Sequence, residues 1–134
     1  MAIHNEIGRI GEQIAADYLI EHGYTVIEQN FKRPYGEIDI VARETRDLLV
    51  FAEVKSVSWE TARRGDPATV THETHRPEDN VHPQKLKRLA RTIESYMLNR
   101  RYTGNWRFDV LAVYIDQTIR KAHVRHVKDI VIGA

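Results

Sequence analysis

Two apolar segments joined by a short polar connection, between residues 36 and 55, constrain the fold of this 134-residue chain more than any other feature. The first runs roughly from Glu37 to Arg43 and the second roughly from Leu48 to Lys55. Both are rich in the branched and aromatic side chains that favour strands. The short connection between them predicts an antiparallel hairpin.

Side chains alternate between the two faces of a strand. In the first strand we expect Ile38, Ile40 and Ala42 on one face, with Glu37 and Asp39 on the other. Asp is disfavoured in strand interiors, so its presence in an apolar segment indicates a function.

The register of the hairpin decides whether Asp39 and Glu53 lie side by side. They are directly opposite in only one register, which requires a loop of odd length, either Thr45 to Asp47 or Glu44 to Leu48. Directly opposite Cβ atoms lie roughly 4.5–5.5 Å apart. Two carboxylates at that distance repel each other unless a cation lies between them.

An oxygen-lined pocket of this kind suits Mg²⁺, which takes one or two carboxylates and keeps several waters. Lys55 would point into the same pocket opposite Glu37, where it can contact a phosphate oxygen or orient a metal-activated water. The pattern favours Asp39, Glu53 and Lys55 as catalytic residues, with Glu37 in support. The alternative is an ordinary solvated strand face, because the pattern is loose in a chain with 29% charged residues.

The rest of the chain predicts further helices and strands. Helical periodicity over residues 6–22 has Asn5 as its candidate N-cap and Gly23 as its stop signal. The other expected elements are a strand at 24–31, a turn at 30–36, a helix at 83–99, a buried strand at 106–115 and an edge strand at 119–127. The segment from about 56 to 81 is predicted to be a long mobile loop.

This order gives an α/β fold class: one domain with a mixed sheet, in the order α-β-β-β-α-β with a further edge strand. The second helix would provide a right-handed crossover between parallel strands.

Composition narrows the class of protein. The chain has no Cys, which excludes disulfides and thiolate zinc sites and is compatible with the cytoplasm. No apolar run is long enough to span a membrane and the N-terminus lacks a signal-peptide pattern, so no membrane partner is expected.

Charge is distributed unevenly along the chain. Residues 1 to 55 carry 6 Lys and Arg against 10 Asp and Glu, whereas residues 56 to 134 carry 14 against 9. An acidic site beside a basic second half suits a metal-dependent phosphodiesterase. A chance fluctuation is the alternative explanation.

Four motifs together resemble a known family. Gly36-Glu37-Ile38-Asp39-Ile40-Val41-Ala42 and Phe51-Ala52-Glu53-Val54-Lys55 resemble the core of the PD-(D/E)XK nuclease superfamily. With Gly8-Arg9-Ile10-Gly11-Glu12 and Arg107-Phe108-Asp109-Val110, they resemble the YraN family, small bacterial proteins that are predicted endonucleases distantly similar to archaeal Holliday-junction resolvases. The resemblance covers nearly the whole chain except about 56–80. It implies a restriction-endonuclease-like domain over residues 1–134.

The resemblance also implies roles for single residues. Asp39 and Glu53 would bind Mg²⁺ or Mn²⁺ with help from the carbonyl of Val54. Glu12 matches the first-helix Glu that joins the metal site in resolvase-like nucleases, although a solvated helix Glu is an equal alternative. Lys85 matches the family's helix Lys.

Basic side chains predict where a nucleic acid would lie, through contacts with backbone phosphates. The candidates are Arg63, Arg64, Lys85, Lys87, Arg88 and Arg91. For those on the helix, a solvated face is the alternative. Asp109, which lies among apolar residues of the buried strand, is expected to be a structural, hydrogen-bonded carboxylate rather than a ligand.

The predicted function is Mg²⁺-dependent hydrolysis of phosphodiester bonds in DNA, with branched DNA as one substrate class. A homodimer is one expected assembly, because a DNA junction has two symmetric cut sites. Two alternatives remain open. A nucleic-acid-binding module without efficient catalysis would bind DNA in a salt-sensitive way. A dimeric protein-interaction scaffold would have no DNA affinity at physiological salt.

Overall fold

The structure, a computed structural model, describes residues 2–58 and 83–132. Two helices and five strands follow one another in the predicted order. They are α1 (Ala2–Glu21), β1 (Thr25–Arg33), β2 (Gly36–Thr45), β3 (Leu48–Ser58), α2 (Pro83–Asn99), β4 (Asn105–Asp116) and β5 (Lys121–Val127). The mixed α/β fold class is confirmed, including the further edge strand.

All five strands belong to one mixed sheet, in which they lie side by side in sequence order. β3 and β4 are parallel, and every other neighbouring pair is antiparallel. The predicted parallel connection is therefore confirmed, with α2 in the segment between the two strands. β4 is a buried interior strand, since its residues from Phe108 to Asp116 are all buried.

Each face of the sheet carries its own apolar cluster. On one face, Ala15, Ala16 and Leu19 of α1 are buried in a cluster with the small and branched residues of β2, β3 and β4. On the other face, Leu89 and Ile93 of α2 belong to a second cluster. The second cluster is rich in aromatic residues, namely Phe31, Phe51, Tyr96 and Phe108. The sheet is the middle layer between two helices, and burial of apolar area on both faces stabilises that arrangement.

The ends of α1 agree only partly with the sequence prediction. Gly23, with φ 91°, follows the helix as expected, because glycine tolerates the left-handed conformation that closes a helix. The Tyr24 amide donates to the Leu19 carbonyl at 2.9 Å across this end. The N-cap prediction for Asn5 is wrong, since the helix already begins at Ala2 and Asn5 lies inside it.

Two strands extend further than predicted. β1 continues through Arg33, so the turn before β2 shortens to Pro34 and Tyr35. β3 continues through Ser58 because it pairs with β4 along its whole length. The first residues of the predicted loop at 56–81 are thus strand, and the remainder lies outside the described residues.

The β2–β3 hairpin has the predicted register but not the predicted loop. Val41 pairs with Phe51, the register that aligns Asp39 with Glu53. The loop of odd length is wrong, because Thr45 pairs with Leu48 across a two-residue turn. A register shift between Arg43 and Thr45 inserts one unpaired residue into β2. This bulge has the same effect on register as an odd loop.

The predicted alternation along β2 is also wrong at one point. Ile38 packs in the cluster of Val41 rather than in that of Ile40. The interruption lies beside a distortion of β1, where Asn30 adopts a left-handed φ of 57° between the partners of Ile40 and Ile38. A left-handed residue breaks the pleat, so side chains on its two sides no longer alternate regularly.

Within residues 2–58 and 83–132, neither helix is long and apolar enough to cross a membrane.

Candidate active site

The site lies where β2 and β3 separate. Their pairing ends at Ile40 and Ala52. Beyond this point β2 stays paired with β1, as far as Gly36, while β3 stays paired with β4 as far as Ser58. A fork therefore opens in the sheet, and Asp39 and Glu53 occupy the first position on either side of it.

The side chain of Asp39 bridges the two strands of the fork. Its Oδ2 accepts a hydrogen bond of 2.8 Å from the backbone amide of Val54 on the opposite strand. Burial raises the pKa of Asp39 to about 7; the Val54 amide opposes the shift, and the charges of Glu12, Glu53 and Glu37 add to it. Four carboxylates thus influence one another here, and the negative charge on Asp39 is poorly compensated.

Glu53 is the better compensated of the two carboxylates at the fork. Lys85 Nζ donates to Glu53 Oε2 at 2.7 Å, and Lys55 Nζ lies 3.3 Å from the same oxygen. The Glu53 side chain is only 13% exposed. Burial lowers the pKa of Lys85, but the hydrogen bond and charge of Glu53 outweigh burial and the net shift is upward. Lys85 therefore stays cationic beside Glu53 at neutral pH.

A close helix–strand contact brings Glu12 to the fork. A Cβ added to Gly11 would lie 1.8 Å from Ser56 Oγ on β3. Only glycine permits this approach of α1 to the sheet. Since Glu12 is the next residue, the same contact fixes its position. The sequence signal for this contact was a glycine inside a predicted helix.

These elements enclose one open cleft of about 950 Å³. The fork carboxylates line it, and the end of β1 and α2 contribute basic side chains. Its charged lining residues are Glu12, Glu37, Asp39, Glu53, Lys32, Arg33, Lys55, Lys85, Arg88 and Arg91. Such a cleft combines an acidic centre with cationic groups that can hold an anionic polymer.

The structure brings together most of the residues that the sequence nominated. Glu12, Glu37, Asp39, Glu53, Val54, Lys55, Lys85, Arg88 and Arg91 all line the cleft. Lys87 is exposed on α2 and is not among the lining residues. Arg63 and Arg64 lie outside the described residues.

Sequence reasoning missed the contribution of the end of β1 and of the turn that follows it. Lys32, Arg33 and Tyr35 also line the cleft. The signal was their position immediately before the Gly36-Glu37 motif, because a short turn must place them beside the start of β2.

The donor set fits a hard cation, although its ligands are not preassembled. Among residues 2–58 and 83–132, no group of three or more His, Asp and Glu side chains is close enough to form a metal site. Asp39 and Glu53 supply carboxylate oxygens, which Mg²⁺ prefers, and Mg²⁺ needs only one or two of them. Burial is the main cause of the raised pKa of Asp39, and the charges of Glu12, Glu53 and Glu37 add to it. A divalent cation at the fork would favour the ionised form of Asp39.

A second charged cluster lies on the α1 face, away from the cleft. Asp109 is fully buried and accepts hydrogen bonds from Arg107 at 2.8 and 2.9 Å. It also lies 2.7 Å from His126 Nε2 and accepts from the Asp129 amide at 2.9 Å. Asp109 is therefore a hydrogen-bonded structural carboxylate, as predicted.

Comparison with known proteins identifies relatives across most of the chain. The sequence profile described as "Uncharacterised protein family UPF0102" matches residues 11–113. A UPF0102 protein of Syntrophus aciditrophicus is 42% identical over 79% of this chain and 74% of its own length. A UPF0102 protein of Moorella thermoacetica is 37% identical over 90% of this chain and 91% of its own length. One of Thermodesulfovibrio yellowstonii is 40% identical over 81% and 85%.

Proposed function

The chain belongs to the uncharacterised protein family UPF0102, and we propose that it is a Mg²⁺-dependent endonuclease that hydrolyses phosphodiester bonds in DNA. The observation that carries the proposal is the fork, where Asp39 and Glu53 flank a gap in the sheet with Lys55 against Glu53. The resemblance of these motifs to the PD-(D/E)XK core supports it. DNA as substrate also favours a cytoplasmic location.

Asp39, Glu53 and the carbonyl of Val54 would hold the cation. When bound, Mg²⁺ lowers the pKa of a coordinated water and polarises a phosphoryl oxygen. The net reaction of hydrolysis would join the water oxygen to phosphorus, break one P–O ester bond and transfer one proton of that water to the leaving oxygen.

The lysines at the fork would act on the substrate. Both balance the charge of Glu53 in the free protein. With a phosphate in the cleft, Lys55 would hold a non-bridging oxygen and stabilise the charge that develops on it. Arg88 and Arg91 on the cleft wall would contact neighbouring phosphates.

The test is cleavage of labelled single-stranded, duplex, flap and four-way-junction DNA with Mg²⁺ or Mn²⁺. We expect the wild type to cleave DNA. Asp39→Asn and Glu53→Gln should cleave it at least about a hundredfold more slowly, since each substitution removes a charged ligand. Asp47→Asn, in the exposed β2–β3 turn, is the matched control and should cleave normally. Equal cleavage by all four proteins would indicate a contaminating nuclease and overturn the assignment.

One observation favours a second candidate function, a DNA-binding module without efficient catalysis. Lys85 and Lys55 both contact Glu53 Oε2, so internal cations already balance one of the two proposed ligands. This candidate predicts salt-sensitive DNA binding that is unchanged by Mg²⁺. Metal-dependent cleavage that is lost in Glu53→Gln would exclude it.

A further inference from the structure

The cleft is lined by an aromatic–cation pair whose aromatic member has no part in the proposed chemistry. The guanidinium carbon of Arg91, on α2, lies 4.0 Å from the centroid of the Tyr35 ring, in the turn between β1 and β2. Arg91 is exposed and Tyr35 is half-buried. The two planar groups form a ridge, which we call the Tyr35–Arg91 ridge.

The ridge is held in place by the backbone beside it. A Cβ added to Gly36 would lie 2.6 Å from Thr92 Oγ1 and 3.4 Å from the Arg88 carbonyl oxygen, so the turn rests directly on α2. Pro34 restricts the backbone of the turn on the other side. Tyr35 is therefore fixed in relation to the helix that carries Arg91, as a binding platform requires.

The ridge separates two hollows. Arg33, Tyr35 and Arg91 line the carboxylate cleft and also line a second hollow of about 490 Å³. The second hollow contains Leu98, which is 74% exposed, and the hydroxyl-bearing Ser95. It thus offers a planar wall, an apolar contact and a hydrogen-bonding group, and none of these is part of the fork.

These features match the chemistry of an unpaired nucleobase. Bases stack on aromatic rings and on guanidinium planes, and a nearby cation holds the adjoining phosphate. Arg33 lines both hollows. The phosphates of one strand can therefore stay close to basic side chains from the fork to the ridge. A base inside a continuous duplex already has both faces stacked, and it cannot use such a wall without leaving the helix.

We propose that the Tyr35–Arg91 ridge is a stacking subsite for an unpaired base, and that the substrate is therefore DNA with a single-stranded segment rather than continuous duplex. This inference rests on the proposed function, because it assigns the strand in the cleft to DNA. It adds a substrate class, Tyr35 as a binding residue and a stacking role for Arg91.

The test measures binding without cleavage. A fluorescent single-stranded oligonucleotide is titrated with full-length protein in low salt and EDTA, and a single abasic position is moved along the strand. We expect one or two abasic positions to weaken wild-type binding about 5- to 100-fold, the usual range for loss of one stacked base. All other positions should bind like the intact strand.

Variants connect that position to the ridge. Tyr35→Ala should bind the intact strand and the strand with the sensitive abasic position with equal affinity. Tyr35→Phe keeps the ring and should behave like wild type. Arg91→Ala should weaken binding and reduce the abasic effect. Its matched control is Arg46→Ala, which removes the same charge from the turn at the other end of β2, about 30 Å along the strand.

The outcomes separate this inference from the proposed function. If DNA is still bound or cleaved but every abasic position gives the same affinity, the stacking subsite is overturned and the nuclease assignment stands. Equal affinity of the wild type for continuous duplex and single strand would overturn the substrate class. No binding of any DNA would overturn both. Because the scan is read on the wild type, a variant that fails to fold does not prevent the decision.

Discussion

Asp39 in the cleft and Asp109 in the core show how differently one kind of side chain behaves in two parts of this protein. Asp109 is fully buried, while Asp39 is partly exposed. Nevertheless the pKa of Asp39 is raised to about 7 and that of Asp109 is lowered. For both residues burial is the largest influence and acts upward.

Their partners account for the opposite result. The hydrogen bonds from His126, Arg107 and the Asp129 amide outweigh the burial of Asp109. Asp39 receives one amide hydrogen bond and faces three carboxylates instead. A buried charge with complete partners stabilises a fold, whereas one surrounded by like charges stores free energy that a ligand can release. The comparison supports Asp39, rather than Asp109, as a binding group.

The largest effect is expected from removing Asp109. Asp109→Ala leaves Arg107 buried without its main acceptor, so we expect a loss of about 3–5 kcal/mol in the free energy of unfolding. Urea denaturation at neutral pH measures it. Asp47→Asn, on an exposed turn, should change stability by less than about 0.5 kcal/mol. A similarly small effect for Asp109→Ala would break the comparison.

A pair of glycine substitutions in α1 tests how the acidic cluster is assembled. Gly11→Ala should cost about 1–3 kcal/mol, because the new Cβ would collide with Ser56. A Cβ at Gly8 meets nothing within 4 Å, so Gly8→Ala should stabilise the helix by about 0.5–1 kcal/mol.

Thermal denaturation of both glycine variants, and of Gly11→Ala combined with Ser56→Gly, checks this contact. The double variant should recover most of the loss. Equal behaviour of the two alanine variants would mean that the contact with β3 does not position Glu12.

Asp39→Asn is expected to stabilise the protein, by on the order of 1–2 kcal/mol at about pH 8. The folded pKa of about 7 lies above the ordinary value of 3.8. Ionisation of Asp39 therefore lowers the free energy of unfolding. This loss is absent below about pH 4, grows between about pH 4 and 7, and is constant above that range. Solvent screening of the partly exposed side chain keeps the gain below the full value of the shift.

Stability curves of wild type and Asp39→Asn against pH measure this difference. The curves should coincide near about pH 4 and separate as the pH rises. A variant less stable than wild type at about pH 8 would show that the charge of Asp39 is already compensated, which would remove the contrast with Asp109.

The smallest expected effect comes from the cation. Mg²⁺ at about ten times its dissociation constant should stabilise the folded wild type by about 1.4 kcal/mol at about pH 8. Asp39→Asn should lose most of this gain, and Asp47→Asn should keep it. Differential scanning fluorimetry with Mg²⁺ and with an equal ionic strength of Na⁺ provides the measurement. An identical shift with both salts would speak against a specific site.

The order of elements and the alignment of Asp39 with Glu53 were predictable because both depend on local patterns. The spacing of apolar residues locates α2. Because side chains alternate along each strand, the register of a hairpin decides whether two charged residues lie on the same face. The odd loop was predicted wrongly because a bulge and a loop change the register in the same way. Sequence alone does not separate them.

Other features depend on contacts between distant segments. Tyr35 and Arg91 meet only because Gly36 lets the turn rest on α2. Asp109 was correctly predicted to be structural, but its partners His126 and Asp129 come from β5 and beyond. The break in alternation at Ile38 lies beside the left-handed Asn30 on the neighbouring strand. Such pairings follow from tertiary packing rather than from local propensity.

The hydrogen bond from the Val54 amide to Asp39 gives the site a built-in spectroscopic probe. An amide proton bound to a charged carboxylate experiences a stronger hydrogen bond than one bound to the neutral acid. The amide resonance of Val54 should therefore move as Asp39 ionises or gains a cation. In protein labelled with nitrogen-15, a single peak in a nitrogen–proton correlation spectrum would then follow the chemistry of the fork without any added substrate.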